Sequence, residues 1–329
     1  MEDYSNLKKK LFKSVSSLLL FSFSTSLCLF AAEFVLRAKN SKMDNYDIEM
    51  WKYSNTLKIK SDNPVIDYVH RKNKNGIFQN VKIRINNNGL RGKEVSDSIG
   101  RRILFLGGSI TLGWGVREED VMTSEIERMF LEKGEKVEVL NAGIGNYNTN
   151  RYVTRFFEDL SNLEPTDIVV NYFLRDAEDL KPSKPNFLLR NSQIAVTVWT
   201  AFKRQISGTG QKSIEENYRN VYNKENYGFK IMQKKLEELS YFAEINNIRI
   251  YLVMVPDIHN LIDYKFDYIH EMILDIAKNN NYIFIDTLPF FRGMTFESLY
   301  AMPGDPHPNA LGHKIIAEAA FPFLYKNSK

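Results

Sequence analysis

The chain has 329 residues, of which 43% are hydrophobic and 26% charged, so it can bury a large core and disorder is excluded as its main state. One cysteine excludes a disulfide-held scaffold and a cysteine-based zinc site. A formal net charge of +4, from 44 basic and 40 acidic residues, is too small and dispersed to argue for a nucleic-acid partner.

The N-terminal segment reads apart from the rest. Lys8, Lys9, Lys10 and Lys13 precede 19 uncharged residues from Ser14 to Ala32, and apolar character resumes from Phe34 to Leu36. At about 1.5 Å per residue, such a helix matches a hydrocarbon core of about 30 Å. Cleavage of a signal peptide needs small residues at −3 and −1, yet cutting after Ala32 or Ala31 puts Phe30 or Leu29 at −3. Leu27 also stands where a lipoprotein signal wants a small residue before Cys28. Residues 14–36 are therefore expected to be an uncleaved transmembrane signal-anchor. The lysines place residues 1–13 in the cytoplasm and the body outside it, against the opposing Arg37, Lys39 and Lys42. A body without cysteine suits an oxidising compartment.

Residues 37–60 are polar and show no clear period. Within 37–100, a linker and small β-rich lead-in is expected. Val81 to Ile85 alternates strictly and ends at the turn signal Asn86-Asn87-Asn88-Gly89. From Arg101 the texture becomes strand–helix alternation. Buried strands are expected at Ile103–Leu106, Val137–Leu140, Asp167–Phe173, Ile248–Val255 and Tyr282–Ile285. Helices are expected over 120–132, 149–162, 225–246, 263–279 and 309–325. Short apolar strands separated by helices imply an α/β fold, one domain over 101–329 with a parallel sheet of about five strands covered on both faces. The stretch 181–224 fits no element of that sheet. It reads as an insertion packed on the domain, or more sharply as a lid or a membrane-facing amphipathic segment through Phe187–Ile206.

Parallel sheets form sites beyond the C-terminal ends of their strands. There stand Gly107-Gly108-Ser109, Gly143-Ile144-Gly145-Asn146, Arg175-Asp176 and Asp257 with His259. Ser109 sits on a glycine-flanked turn, and its hydroxyl needs a base to become a nucleophile. His307 is a candidate base, and Asp305, two residues earlier in an extended, proline-stiffened segment, a candidate orienter of its ring. Taken singly, each of these pieces also reads as an ordinary turn. No GxGxxG and no P-loop lysine are present, so nucleotide binding is weakly supported. His259 and Asp257 are candidates to line a pocket, His313 to pack or cap, and His70 and His270 carry no signal. No metal cluster and no cofactor are expected.

In combination, the pieces resemble the SGNH (GDSL-type) hydrolase superfamily. FLGGSITLGWGV at 105–116 resembles its first block, VLNAGIGNYNT at 139–149 its second, and DPHPNALGHKIIAEA at 305–319 its last. INNNGLRGKE at 85–94 resembles the lead-in of larger, membrane-anchored, exported members. The resemblance covers about 85–329. It implies a flavodoxin-like three-layer sandwich, with Ser109 as nucleophile, His307 as base, Asp305 as orienter, and an oxyanion hole from Ser109, Asn146 and the third block. Four positions depart from the pattern. Gly108 replaces the usual aspartate before the serine, and Asp305 and His307 are two apart rather than three. Asn146 stands where a glycine is usual, with Gly145 beside it, and Arg175 stands where an asparagine precedes the aspartate.

Arg175 can donate to a developing oxyanion, fill the pocket, or pair with Asp176 or Glu178. Gly145, Asp257 and His259 are candidate substrate-binding residues. The resemblance implies serine-dependent ester chemistry on an envelope glycan or other exported ester. The protein is an esterase or deacetylase if water accepts the acyl group, and an O-acyltransferase if a sugar hydroxyl does. A weakened relative that binds glycan or protein, and a lipid-ester hydrolase at the membrane surface with 187–206 as lid, are the alternatives.

Overall fold

The structure, a computed structural model, describes residues 2–97, 100–182, 186–207 and 211–326. Helix α1 (Glu2–Lys39) is continuous, and its large apolar residues from Leu7 to Val35 are exposed. Its stretch Asn6–Lys42 is long and apolar enough to cross a membrane.

The polar stretch after it folds as helix α2 (Tyr46–Leu57), capped by the Asn45 side chain, which accepts the Ile48 N–H at 3.2 Å. Helix α2 has no clear apolar period because its buried face mixes Ile48, Tyr53 and Leu57 with the charged Glu49. Two antiparallel hairpins follow. Strand β1 (Lys58–Lys60) pairs with β2 (Tyr68–His70), and β3 (Lys74–Phe78) pairs with β4 (Val81–Ile85). Gln79 and Asn80 turn the second hairpin with φ of 49° and 60°. The lead-in is thus helical as well as β, and it packs on the main domain. Tyr53, Leu57, Phe78, Ile83 and Ile85 share one buried cluster with Leu112 and Trp114.

The main domain runs β5 (Arg102–Gly107), α3 (Ser109–Leu112), α4 (Met122–Glu132), β6 (Glu138–Asn141), α5 (Thr149–Arg155) and β7 (Asp167–Phe173). The expected 149–162 helix is α-helical only to Arg155, then widens into a π turn over Phe156–Leu160. Three helices fill the expected insertion: α6 (Phe187–Asn191), α7 (Gln193–Ser207) and α8 (Gln211–Val221). Then come α9 (Tyr227–Ile245), β8 (Arg249–Val255), α10 (Asp267–Asn279), β9 (Ile283–Asp286), α11 (Leu288–Phe291) and α12 (Phe296–Leu299). The short antiparallel strands β10 (Tyr300–Met302) and β11 (Asp305–Pro308) and the closing helix α13 (Ala310–Lys326) end the domain.

The five expected strands form one parallel sheet in the order β6-β5-β7-β8-β9. Strands β5, β7 and β8 are buried nearly throughout, as a sheet covered on both faces requires. Their C-terminal ends open on one side, and the chemistry-bearing residues gather there.

Candidate active site

Strand β5 ends at Gly107, where a Cβ would stand 2.1 Å from Thr111 Oγ1 and 2.9 Å from the Asn171 carbonyl oxygen. Only glycine permits that approach, and it lets the chain turn at once into α3 with Ser109 at its head. Ser109 Oγ lies 2.7 Å from His307 Nε2. His307 Nδ1 lies 2.5 Å from Asp305 Oδ1, which also accepts the His307 backbone N–H at 3.1 Å. The second carboxylate oxygen accepts the Gln79 amide at 2.6 Å and the Trp114 indole N–H at 3.0 Å. Asp305 is fully buried, and both of its carboxylate oxygens are met by hydrogen-bond partners. The structure therefore joins serine, histidine and aspartate in one hydrogen-bonded line, anchored from the lead-in hairpin and the serine loop.

Tyr46, at the start of α2, sets its ring 5.8 Å from that of His307. Burial, and then the nearby Asp305 charge, push its phenol well above the ordinary range, so it stays neutral.

The loop after β6 carries Asn146 in the left-handed region at φ 63°. Buried donors of the lead-in and α5 hold its carbonyls. Gly145 O accepts Lys58 Nζ at 2.7 Å and Tyr68 OH at 3.2 Å. Asn146 O accepts Tyr68 OH at 2.9 Å and an Arg151 N–H at 3.1 Å. A trans peptide points its N–H opposite to its C=O, so the Asn146 N–H points away from Lys58. Gly145 itself is buried behind the loop, where a Cβ would meet Tyr53 Cε1 at 2.9 Å. The structure puts it there rather than on the cavity wall.

Ser109, His307 and Asn146 open into a cavity of about 770 Å³. Arg175 lines it, and Glu178 holds the guanidinium at 3.1 and 2.9 Å. Of the partners expected for Arg175 among carboxylates, the guanidinium pairs with Glu178 while lining the cavity. Asp176 turns inward instead and accepts Tyr152 OH at 3.2 Å and the Phe173 N–H at 3.3 Å. Burial pushes its carboxyl well above the usual carboxylate range. The expected insertion divides. α8 forms a cavity wall through Asn217 and Tyr218, while α7 packs on α1 and α2.

Asp257 and His259 also line the cavity. His259 Nδ1 lies 2.6 Å from Asp257 Oδ1, whose other oxygen accepts Tyr218 OH at 3.2 Å. Burial alone would lower the His259 pKa, but the Asp257 hydrogen bond and charge raise it above the ordinary imidazole value. The remaining histidines lie elsewhere. His313 is buried and accepts the Met122 N–H at 3.3 Å, and burial holds it down to about 3. His70 meets Tyr53 OH at 2.7 Å, and His270 meets Tyr264 OH and Asp286, both at 2.8 Å.

Sequence reasoning missed Tyr46, Gln79, Trp114 and Asn171. Asn171 donates to Thr111 Oγ1 at 2.9 Å beneath the serine turn, and its buried Oδ1 has no partner among the described residues. Asn171 follows an apolar run at a strand end, and Trp114 falls inside the first block, so both offered a positional signal. Gln79 and Tyr46 offered none.

No family model matches the sequence, and no curated protein matches it. Solved structures do resemble it. A G-D-S-L family protein from Desulfitobacterium hafniense DCB-2 is 16% identical, covering 68% of this chain and 99% of that one, with a TM-score of 0.45. The acetyl xylan esterase AlAXEase is 18% identical over 68% of this chain and 99% of that one, with a TM-score of 0.44. The esterase EstA from Pseudoalteromonas sp. is 15% identical over 69% and 98%, with a TM-score of 0.41.

Proposed function

We propose that the protein is an SGNH-type serine esterase, anchored by residues 14–36 with its domain outside the cytoplasm, that acts on acyl esters of a hydroxylated, glycan-like molecule. The observation that carries the reading is the hydrogen-bonded line from Ser109 through His307 to a buried Asp305, open to a cavity. Ser109 Oγ attacks the acyl carbonyl carbon while His307 Nε2 takes the hydroxyl proton. The carbonyl oxygen becomes an oxyanion held by the backbone N–H groups of Ser109 and Asn146. Collapse breaks the ester C–O bond, His307 returns the proton to the leaving alcohol, and an acyl-Ser109 remains. Water then attacks this acyl group with His307 as base, and free acid and enzyme result. A sugar hydroxyl in place of water makes the same site an O-acyltransferase.

The cavity wall mixes polar groups, Asn146, Asn217, Asn220, Asp257 and His259, with apolar ones such as Ile110, Phe173 and Ile214. The polar groups can match the hydroxyls of a sugar, and the apolar ones can pack on its ring or on a short acyl group. In this reading Arg175, already paired with Glu178, orients substrate at the rim, and Asp257 and His259 bind it.

The test is p-nitrophenyl acetate turnover by the full chain in detergent, together with labelling by a fluorophosphonate, which reacts with activated serines. Turnover and labelling that both vanish in Ser109→Ala support the esterase. Labelling, with p-nitrophenol released only when a glycan is added and the acetyl group recovered on that glycan, moves the reading to transferase. A chain that neither labels nor turns over is a binding module, and the esterase reading fails.

A further inference from the structure

We propose that the outward face of α7 is seated on the surface of the same bilayer that α1 crosses, so that the domain is held to the membrane along a helix as well as by its anchor. This rests on reading 14–36 as a membrane span.

The carrying observation is where α7 begins. Glu33 is the first charged residue after the uncharged run, so it marks one boundary of the span. Its carboxylate accepts the Ser192 hydroxyl at 2.9 Å and the Gln193 and Ile194 N–H groups at 2.9 and 3.0 Å. One turn later, Arg37 donates to the Asn191 carbonyl at 2.8 Å, and the Asn40 amide donates to Gln193 Oε1 at 2.7 Å. The first turn of α7 is thus tied to the turn of α1 that leaves the apolar run. The other side of the insertion is fastened to α2. Trp51 donates to the Leu189 carbonyl at 2.6 Å, Asn55 to the Arg190 carbonyl at 3.0 Å, and Arg204 pairs with Asp47 at 2.6 Å.

The face that remains is apolar and uncovered. Val198, Trp199, Phe202 and Ile206 recur at helical spacing along one side, at 63%, 44%, 54% and 70% exposure. Phe187 and Leu188 of α6 extend it and are more than half exposed. Water is a poor neighbour for a contiguous patch of this kind. The flanking charge identifies the occupant. From Phe187 to Ile206 the chain carries Arg190, Lys203 and Arg204 and no acidic residue. Lys203 Nζ sits 5.3 Å over the Trp199 ring, an aromatic–cation pair suited to the headgroup level. An apolar face flanked by Arg190 and Lys203, with Arg204 already held by Asp47, and packed beside a helix whose own apolar residues are uncovered, fits an anionic lipid surface.

The full chain is reconstituted into nanodiscs of anionic phospholipid, with and without bromine on acyl carbons near the headgroup. Tryptophan emission is compared with that of Trp199→Phe, which leaves Trp51 and Trp114. The expected result is an emission component quenched by bromolipid, lost in Trp199→Phe and diminished in Phe202→Asp. A Trp199 component equal in both kinds of disc overturns the proposal. That holds if its emission is red, as in water, and equally if it is blue, as against a second copy or another protein. Failure of the chain to enter the discs at all refutes the anchor and, with it, this proposal. Retained p-nitrophenyl acetate turnover in Phe202→Asp shows that the fold is intact.

Discussion

Two segments of this molecule, Asp305-Pro306-His307 in β11 and Asp257-Ile258-His259 beyond β8, differ in sequence by one residue and make the same aspartate–histidine hydrogen bonds. In each, aspartate Oδ1 accepts the backbone N–H of the histidine two residues on, at 3.1 and 3.0 Å. In each it also meets Nδ1 of that histidine, at 2.5 and 2.6 Å. Both segments therefore fix the ring and leave Nε2 facing outward. The surroundings differ. Asp305 has a second pair of donors, Gln79 and Trp114, whereas the other oxygen of Asp257 accepts the Tyr218 hydroxyl. The His307 side chain is 11% exposed and its Nε2 meets Ser109, while that of His259 is 33% exposed. A local segment can set a tautomer, but only long-range packing decides whether the other nitrogen finds a nucleophile.

Four experiments would break or sharpen that contrast. Removing the nucleophile or base has the largest expected effect. Ser109→Ala and His307→Ala should each lower ester turnover by about 10⁴-fold or more. The direct contrast is Asp305→Asn against Asp257→Asn. The first should cost about 10³- to 10⁴-fold in kcat, because it leaves the ring in the wrong tautomer. The second should act mainly on KM, by roughly tenfold or less, as expected of a polar substrate contact. Equal losses would end the distinction. A step smaller, Gln79→Leu and Trp114→Phe each remove one hydrogen bond to a buried charge, about 1.5–3 kcal/mol at most. A loss of roughly tenfold to a hundredfold in kcat is expected, without change in fluorophosphonate access.

The smallest effect is electrostatic. Burial opposes the His259 cation and Asp257 overcomes it, so the imidazole titrates above its ordinary value. In Asp257→Asn the burial remains and the attraction is lost, so the titration should move down. Just above pH 6.5 the parent then carries more imidazolium than the variant. Histidine C2–H shifts against pH read this directly, and an upward or absent shift would contradict the pairing.

Much of this was legible in the sequence. Apolar runs of strand length, spaced by helical periods, gave the parallel sheet. Glycines before Ser109 and prolines around His307 marked two stiff turns whose residue types suit nucleophile and base. The rest lay in contacts that no local pattern carries. Gln79 reaches Asp305 across 226 positions, and nothing about a glutamine in a turn announces it. Helix α2 hid because its buried face includes Glu49. The 181–224 stretch resisted a single description because its helices serve different neighbours, α8 the cavity and α7 the helices α1 and α2. At Arg175 the residue type left several roles open, and only the folded chain brings its guanidinium to Glu178.

The Gln79–Asp305 bond also bears on how the protein fails when heated. Gln79 sits at the tip of a two-stranded hairpin that lies outside the five-stranded sheet and is held by its packing on α2, Leu112 and Trp114, so it can open before that sheet melts. Once it opens, water can reach the carboxylate that orients His307. Turnover should then fade below the melting temperature of the sheet, and return on cooling for as long as the sheet has held.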